Sequence, residues 1–172
     1  ERVPIGANRL VYLPYLMGER SPKLDPECRG VFFGLSAIHT KYDMLRAVME
    51  GVIYSQRECL DILRGMGVVS SEMIACGGGG TSPLWRQMMA DVYGLPVKTS
   101  ASKEGPALGV AILAGVGAGV YASVPEACRR LIRTSAPQEP VPGNHEKYEP
   151  FYRTYLSLYP ALKEGFQTLA QA

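Results

Sequence analysis

The sequence predicts an α/β fold with parallel strand pairing, and two observations carry that expectation. In the stretch EMIACGGGGTSPLWRQMMADVYGLPVKT (72–99), an apolar run ends on four glycines, a helix start follows, and a second apolar run comes after a further glycine. Strand, helix and strand at that spacing form a parallel crossover unit. The composition fits: 172 residues, 47% hydrophobic and 20% charged, can bury a core in one domain or in one domain with a short appendage.

The elements follow in order. Residues 9–17 (RLVYLPYLM) read as an extended apolar segment interrupted at Pro14, and GERSPKLDPECRG is a turn-rich stretch whose prolines disfavour helix. VFFGL (31–35) reads as a short buried strand. Thr40 caps a long helix with Asp43 as its capping-box partner. Met44, Ala47, Val48, Gly51, Ser55, Cys59, Ile62 and Leu63 recur along that helix as its apolar stripe, and Gly65 ends it. A strand runs from Glu72 to Cys76. The next helix turns Leu84, Trp85, Met88, Met89 and Val92 inward and closes at Gly94, before a short strand, LPVKT. Ser102 to Pro106 opens a helix whose Ala107, Gly109, Ala111 and Ala114 permit close backbone approach. Pro125 to Ile132 is a short helix, residues 134–147 a proline-rich connector, and residues 148–172 an amphipathic helix with a kink or break expected at Pro160.

Composition also narrows the function classes. A net charge of +2 and a pI near 8.4, with Lys and Arg scattered, give no electrostatic footprint for nucleic acid or a membrane surface. Cys28, Cys59, Cys76 and Cys128 form no CxxC pair, so reduced thiols in a cytoplasmic protein are expected. His39 and His145 are too few for a histidine-rich metal site. ALGVAILAGVGAGVYA is too short and too glycine-broken to span a bilayer. Because the chain opens at Glu1, a processed or truncated start is expected.

Gly77–Gly80 is the main functional clue. Four residues without a Cβ bring bare backbone N–H groups to one point, with Ser82 as N-cap and Pro83 as first helical residue behind them. Such a strand, turn and helix N-terminus suit an anion, most often a phosphate. A P-loop is excluded because CGGGGTSP lacks the lysine of GxxxxGK[ST]. The dinucleotide fingerprint also fails: counted from Gly77 its third glycine would be Ser82, and from Gly115 it would be Val120. Two readings stay open: a turn that lies flat against a nucleotide, or glycines needed for tight strand–helix packing.

Gly30, Phe32, Gly34 and Leu35, followed by Asp43, Met44, Ala47, Val48, Met49 and Glu50, resemble the C-terminal signature of the FGGY family of carbohydrate kinases. The glycine run resembles that family's adenosine-side loop, usually GGGA before a polar residue and SPLW, with Gly80 here in place of the alanine. EGPALGVAILA is similar to the family's next helix. YLPYLMGERSP, DPECRGVFFGL and WRQMMADVYGLPV are most similar to xylulokinases, over nearly the whole chain but about the last third of a complete kinase.

The resemblance implies an actin-like ATPase (ribonuclease-H-like) C-terminal domain, incomplete at its N-terminal side and occupying residues 1–133. It implies the nucleotide-binding part of an ATP-dependent kinase taking D-xylulose to xylulose 5-phosphate. Kinases of gluconate, ribulose or glycerol, and a non-catalytic actin-like nucleotide-binding module, are the alternatives. Gly78, Gly79 and Gly80 would lie against the adenosine and α-phosphate side of ATP, with Ser82 capping the helix behind them. The catalytic base, the Mg2+ ligands and the pentulose-binding residues are expected upstream of Glu1, and a homodimer is left open.

The residues themselves offer no base. Asp43 reads as a helix cap, Asp25 as a turn former, and Asp61 and Asp91 as solvated helix positions. Arg29 reads either as facing the cleft or as a loop brace, Trp85 as core and the tyrosines of the last helix as a packing stripe. Glu104 is a secondary ligand candidate.

Overall fold

The computed structural model describes residues 3–100 and 105–172. Ten elements follow one another: β1 (Val11–Leu13), β2 (Val31–Phe33), α1 (Lys41–Gly65), β3 (Met73–Ala75), α2 (Gly77–Thr81), α3 (Pro83–Tyr93), β4 (Val97–Thr99), α4 (Gly105–Gly117), α5 (Val124–Leu131) and α6 (Asn144–Ala170). β1 and β2 are antiparallel, with Tyr12 opposite Phe32. β3 and β4 are parallel, with Ile74 opposite Lys98, as a strand–helix–strand crossover requires. The outer edge of β4 is bridged by the connector, Val97 to Gln138. The helix start at Ser102 and the candidate Glu104 lie outside the described residues.

α1 begins where the capping box places it. Thr40 accepts from Tyr42 N–H, while Asp43 Oδ2 accepts from the Thr40 backbone and hydroxyl at 2.7 Å each. Those hydrogen bonds, from the Thr40 hydroxyl first, hold the Asp43 carboxyl down at about 2. The buried face of α1 differs from the expected stripe. Ala47 and Gly51 are buried, but Ile62 and Leu63 are exposed, and Glu50, Tyr54 and Arg57 take the interior positions. Each charged residue brings partners inward. Glu50 accepts from Arg46 Nε at 2.8 Å and from Gly6 N–H at 3.1 Å, and burial pushes its carboxyl up to about 7. Arg57 donates to Glu149 at 2.7 Å and stacks 3.9 Å from the Tyr152 ring centroid.

The core gathers β1, α1, α3 and α6. Tyr148, Tyr152, Tyr155 and Tyr159 of α6 form the expected packing stripe against Tyr54 and Tyr15. Of their hydroxyls, that of Tyr155 pairs with Tyr15 inside the core, that of Tyr152 with Asp61 and that of Tyr159 with Asp25. α6 starts at Asn144, four residues before the expected start, and runs unbroken through Pro150 and Pro160. Both prolines face solvent, where water can satisfy the carbonyls that lose their helical partner, so no break follows.

A further expectation is corrected. Asp91 is buried rather than solvated: it accepts from Gln87 Nε2 (2.8 Å), Val141 N–H (2.8 Å) and Asn144 Nδ2 (2.9 Å). It thereby ties the connector and the start of α6 to α3. In α4, Ile112 is the one buried residue among those described, and a Cβ on Gly115 would lie 2.9 Å from the Tyr121 ring, whereas one on Gly109 would meet nothing within 4 Å.

Candidate functional site

β3 and β4 run parallel and end on the same side, at Ala75 and Thr99, and the glycine run leaves the first of these ends. In open parallel sheets that end is where ligands bind. Instead of an open turn, the run makes one helical turn, α2, entered at Gly77 with φ +75°. Cys76 precedes it in extended backbone and makes no side-chain cap bond. Ser82 joins the two helices. Its N–H donates to the Gly79 carbonyl at 3.2 Å, and its Oγ accepts from Trp85 N–H at 3.3 Å, with Pro83 at the first helical position as expected.

The four glycines have different surroundings. Gly77 and Gly78 are exposed, Gly79 half-buried and Gly80 buried. A Cβ on Gly80 would lie 2.7 Å from the Ala75 carbonyl oxygen, and one on Gly79 would lie 2.9 Å from the Trp85 ring. A Cβ on Gly78 would meet nothing within 4 Å. Packing therefore accounts for glycine at 79 and 80 and leaves Gly78 unaccounted for.

The carbonyls of the run are taken up by residues that follow it. Gly78 O accepts from Thr81 Oγ1 at 2.7 Å, Gly79 O from Ser82 N–H, and Gly80 O from Arg86 Nη1 at 2.6 Å. With the carbonyls claimed from the C-terminal side, the first-turn N–H groups of α2 face the other way, without intrahelical acceptors.

Other residues named from the sequence are placed elsewhere. Arg29 donates to the Pro26 and Cys28 carbonyls and braces its own loop. Trp85 packs between the core and Gly79. Asp43 caps α1. Arg86 and Thr81 were not anticipated. One signal was available: a cation in the first turn of α3 opposes the helix dipole, which calls for another role. Among the described residues, no three His, Cys, Asp or Glu side chains cluster to hold a metal ion, and no helix is long and apolar enough to cross a membrane.

The xylulose kinase of Staphylococcus epidermidis is 39% identical over 160 residues, covering 93% of this chain and 32% of that protein. The gluconokinase of Bacillus subtilis is 33% identical over 177 residues, 99% of this chain and 33% of that protein. The crystal structure of ligand-bound xylulose kinase from Lactobacillus acidophilus superposes with a TM-score of 0.90 at 28% identity, covering 97% of this chain and 34% of that one. The chain thus spans about a third of the length of these relatives and has the fold of their C-terminal part, that of actin-like ATPases. The model of the FGGY family of carbohydrate kinases, C-terminal domain, matches residues 3–118. The chain belongs to the FGGY family of carbohydrate kinases, through the match of its residues 3–118 to that family's C-terminal domain.

Proposed function

We propose that this chain is the nucleotide-binding part of an ATP-dependent kinase that phosphorylates D-xylulose, with Gly78, Gly79, Gly80 and Ser82 against the adenosine and α-phosphate side of ATP. The observation that carries the nucleotide assignment is the bare, outward face of Gly78, where glycine serves no packing purpose. A missing Cβ that packing does not require leaves room for a flat ligand surface to lie against the backbone. The likeness to xylulose kinases supports the pentulose, and the likeness to a gluconokinase keeps gluconate as the second reading. ATP would meet Mg2+ in the usual way, with the metal's ligands and the sugar's contacts supplied by parts of the kinase outside these residues. No nucleic acid or membrane partner belongs to this reading, and the compartment is the cytoplasm.

Calorimetry with ATP and ADP on the wild-type chain and a Gly78→Val variant tests the nucleotide assignment. Binding by the wild type and its loss in the variant are expected, whereas equal heats would remove the glycine run from the site. ADP release by the complete gene product, with D-xylulose and D-gluconate compared as acceptors, tests the substrate.

A further inference from the structure

A run of four glycines has more conformational freedom to lose than any other tetrapeptide, so something must hold it in one shape. Gly80 is held by burial against Ala75, and Gly79 by the Trp85 ring. The peptide between Gly80 and Thr81 has one further restraint, the Arg86 guanidinium, whose Nη1 lies 2.6 Å from the Gly80 carbonyl oxygen. Arg86 belongs to the next helix, so this bond fastens α2 to α3 across the Ser82 junction. A trans peptide sets its C=O and N–H on opposite sides, so holding this carbonyl toward α3 turns the Thr81 N–H the other way, and the bonds of the same turn, Thr81 Oγ1 to Gly78 O and Ser82 N–H to Gly79 O, carry that alignment back to the peptides before it. The guanidinium is charged and its hydrogen bond is of the strong class. It stands in a first helical turn, where the dipole disfavours it, and the carbonyl it holds offsets that placement.

We infer that Arg86 is the positioning residue of the nucleotide site: by gripping the Gly80 carbonyl it keeps the carbonyls of the glycine run turned toward α3 and its N–H groups turned away from it, toward the ligand. This rests on the reading of the glycine run as the nucleotide surface. Arg86 itself acts through Gly80 and is not placed against the nucleotide.

The chain has a single tryptophan, and it packs on Gly79, so its fluorescence reports the shape of the run directly. The test compares Arg86→Met and Arg86→Lys with the wild-type chain, first without nucleotide and then with ATP. In the ligand-free arm, Arg86→Met is expected to shift Trp85 emission, make the ring more open to acrylamide and speed amide exchange at 79–82 about tenfold, the loss expected for one charge-assisted hydrogen bond. Arg86→Lys, which keeps a cationic donor, is expected to restore most of the protection. In the ATP arm, Kd is expected to rise about tenfold in Arg86→Met and much less in Arg86→Lys. Unchanged emission, quenching and exchange in Arg86→Met would overturn the inference. So would a tenfold exchange increase that left ATP affinity untouched. Should the methionine variant lose its helical circular dichroism, the lysine variant decides: exchange at 79–82 as fast as in a denatured control overturns the proposal. Failure of the wild type to bind ATP would remove the nucleotide reading, while the ligand-free arm would still decide whether Arg86 sets the shape of the run.

Discussion

At Gly80 a methyl group would lie 2.7 Å from the Ala75 carbonyl oxygen, whereas at Gly78 it would meet nothing within 4 Å. Gly80→Ala is therefore expected to cost about 1–3 kcal/mol, because a backbone oxygen cannot swing aside as a flexible side chain can. Gly78→Ala should leave stability unchanged or raise it by up to about 1 kcal/mol, through lower backbone entropy. Urea unfolding of the two variants separates these outcomes, and equal losses at both positions would contradict the packing described for Gly80. A second expectation concerns Glu50. Burial raises its folded-state value to about 7 from an ordinary 4.5, so the folded chain binds this proton more tightly than the unfolded chain. The stability it contributes is present at low pH and is lost as pH rises from 4.5 to about 7, at up to about 1.4 kcal/mol per pH unit. Glu50→Gln lacks that loss, so its stability relative to wild type should improve steadily across this window. A flat difference between the two unfolding curves would show that Glu50 does not titrate there. Such positions also show what a sequence makes legible. Thr40, Asp43, Ser82 and Gly94 act through contacts a few residues away, and their roles were readable. Glu50, Arg57 and Asp91 are paired with residues 44, 92 and about 50 positions distant, so their burial was not.

The helices and strands differ in the same way. The parallel pairing of β3 and β4 and the boundaries of α1 and α3 were legible because caps, glycines and alternation are local signals. The tie between α3 and the connector was not, because it is made by one carboxylate to a backbone amide in a segment that looks like exposed loop. Asp91 accepts from Val141 N–H and Asn144 Nδ2 as well as from its own helix, so Asp91→Ala would strand a buried amide and free the start of α6. The expected cost is about 2–4 kcal/mol, more than one ordinary hydrogen bond, because the abandoned donors lose water as well as a partner. Denaturant unfolding should show a lower midpoint, with faster amide exchange confined at first to 138–145. Uniform exchange changes across the chain would instead mark Asp91 as a general core residue. Asp91→Asn, which keeps one acceptor oxygen, should fall between the two.

Across the whole molecule the question is what this chain of the FGGY family can do unaided. Removal of a hydroxyl proton before attack on a γ-phosphate calls for a carboxylate that is free to take it. The chain has four aspartates, Asp25, Asp43, Asp61 and Asp91, and each is spoken for within the fold. Asp25 accepts from Tyr159 OH and Glu27 N–H, and that tyrosine bond first of all holds its carboxyl below its ordinary value. Asp43 holds the Thr40 cap and Asn8, Asp61 accepts from Tyr152 OH and Arg64, and Asp91 fastens the connector. A carboxylate held low by donors is a weak base, and one that secures two elements cannot move toward a substrate without loosening the fold. With its aspartates so engaged and Glu50 buried against Arg46 and the Gly6 N–H, the 172-residue chain alone is expected to show no D-xylulose-dependent ADP release above a no-enzyme control, while binding ATP weakly as the proposed nucleotide site would allow. A coupled ADP assay and calorimetry on one preparation check both halves of this expectation. Sugar-dependent turnover would require a base among residues assigned here to structure. In that event Asp43→Asn, Asp61→Asn and Asp91→Asn, assayed singly, would identify which of them had been misassigned.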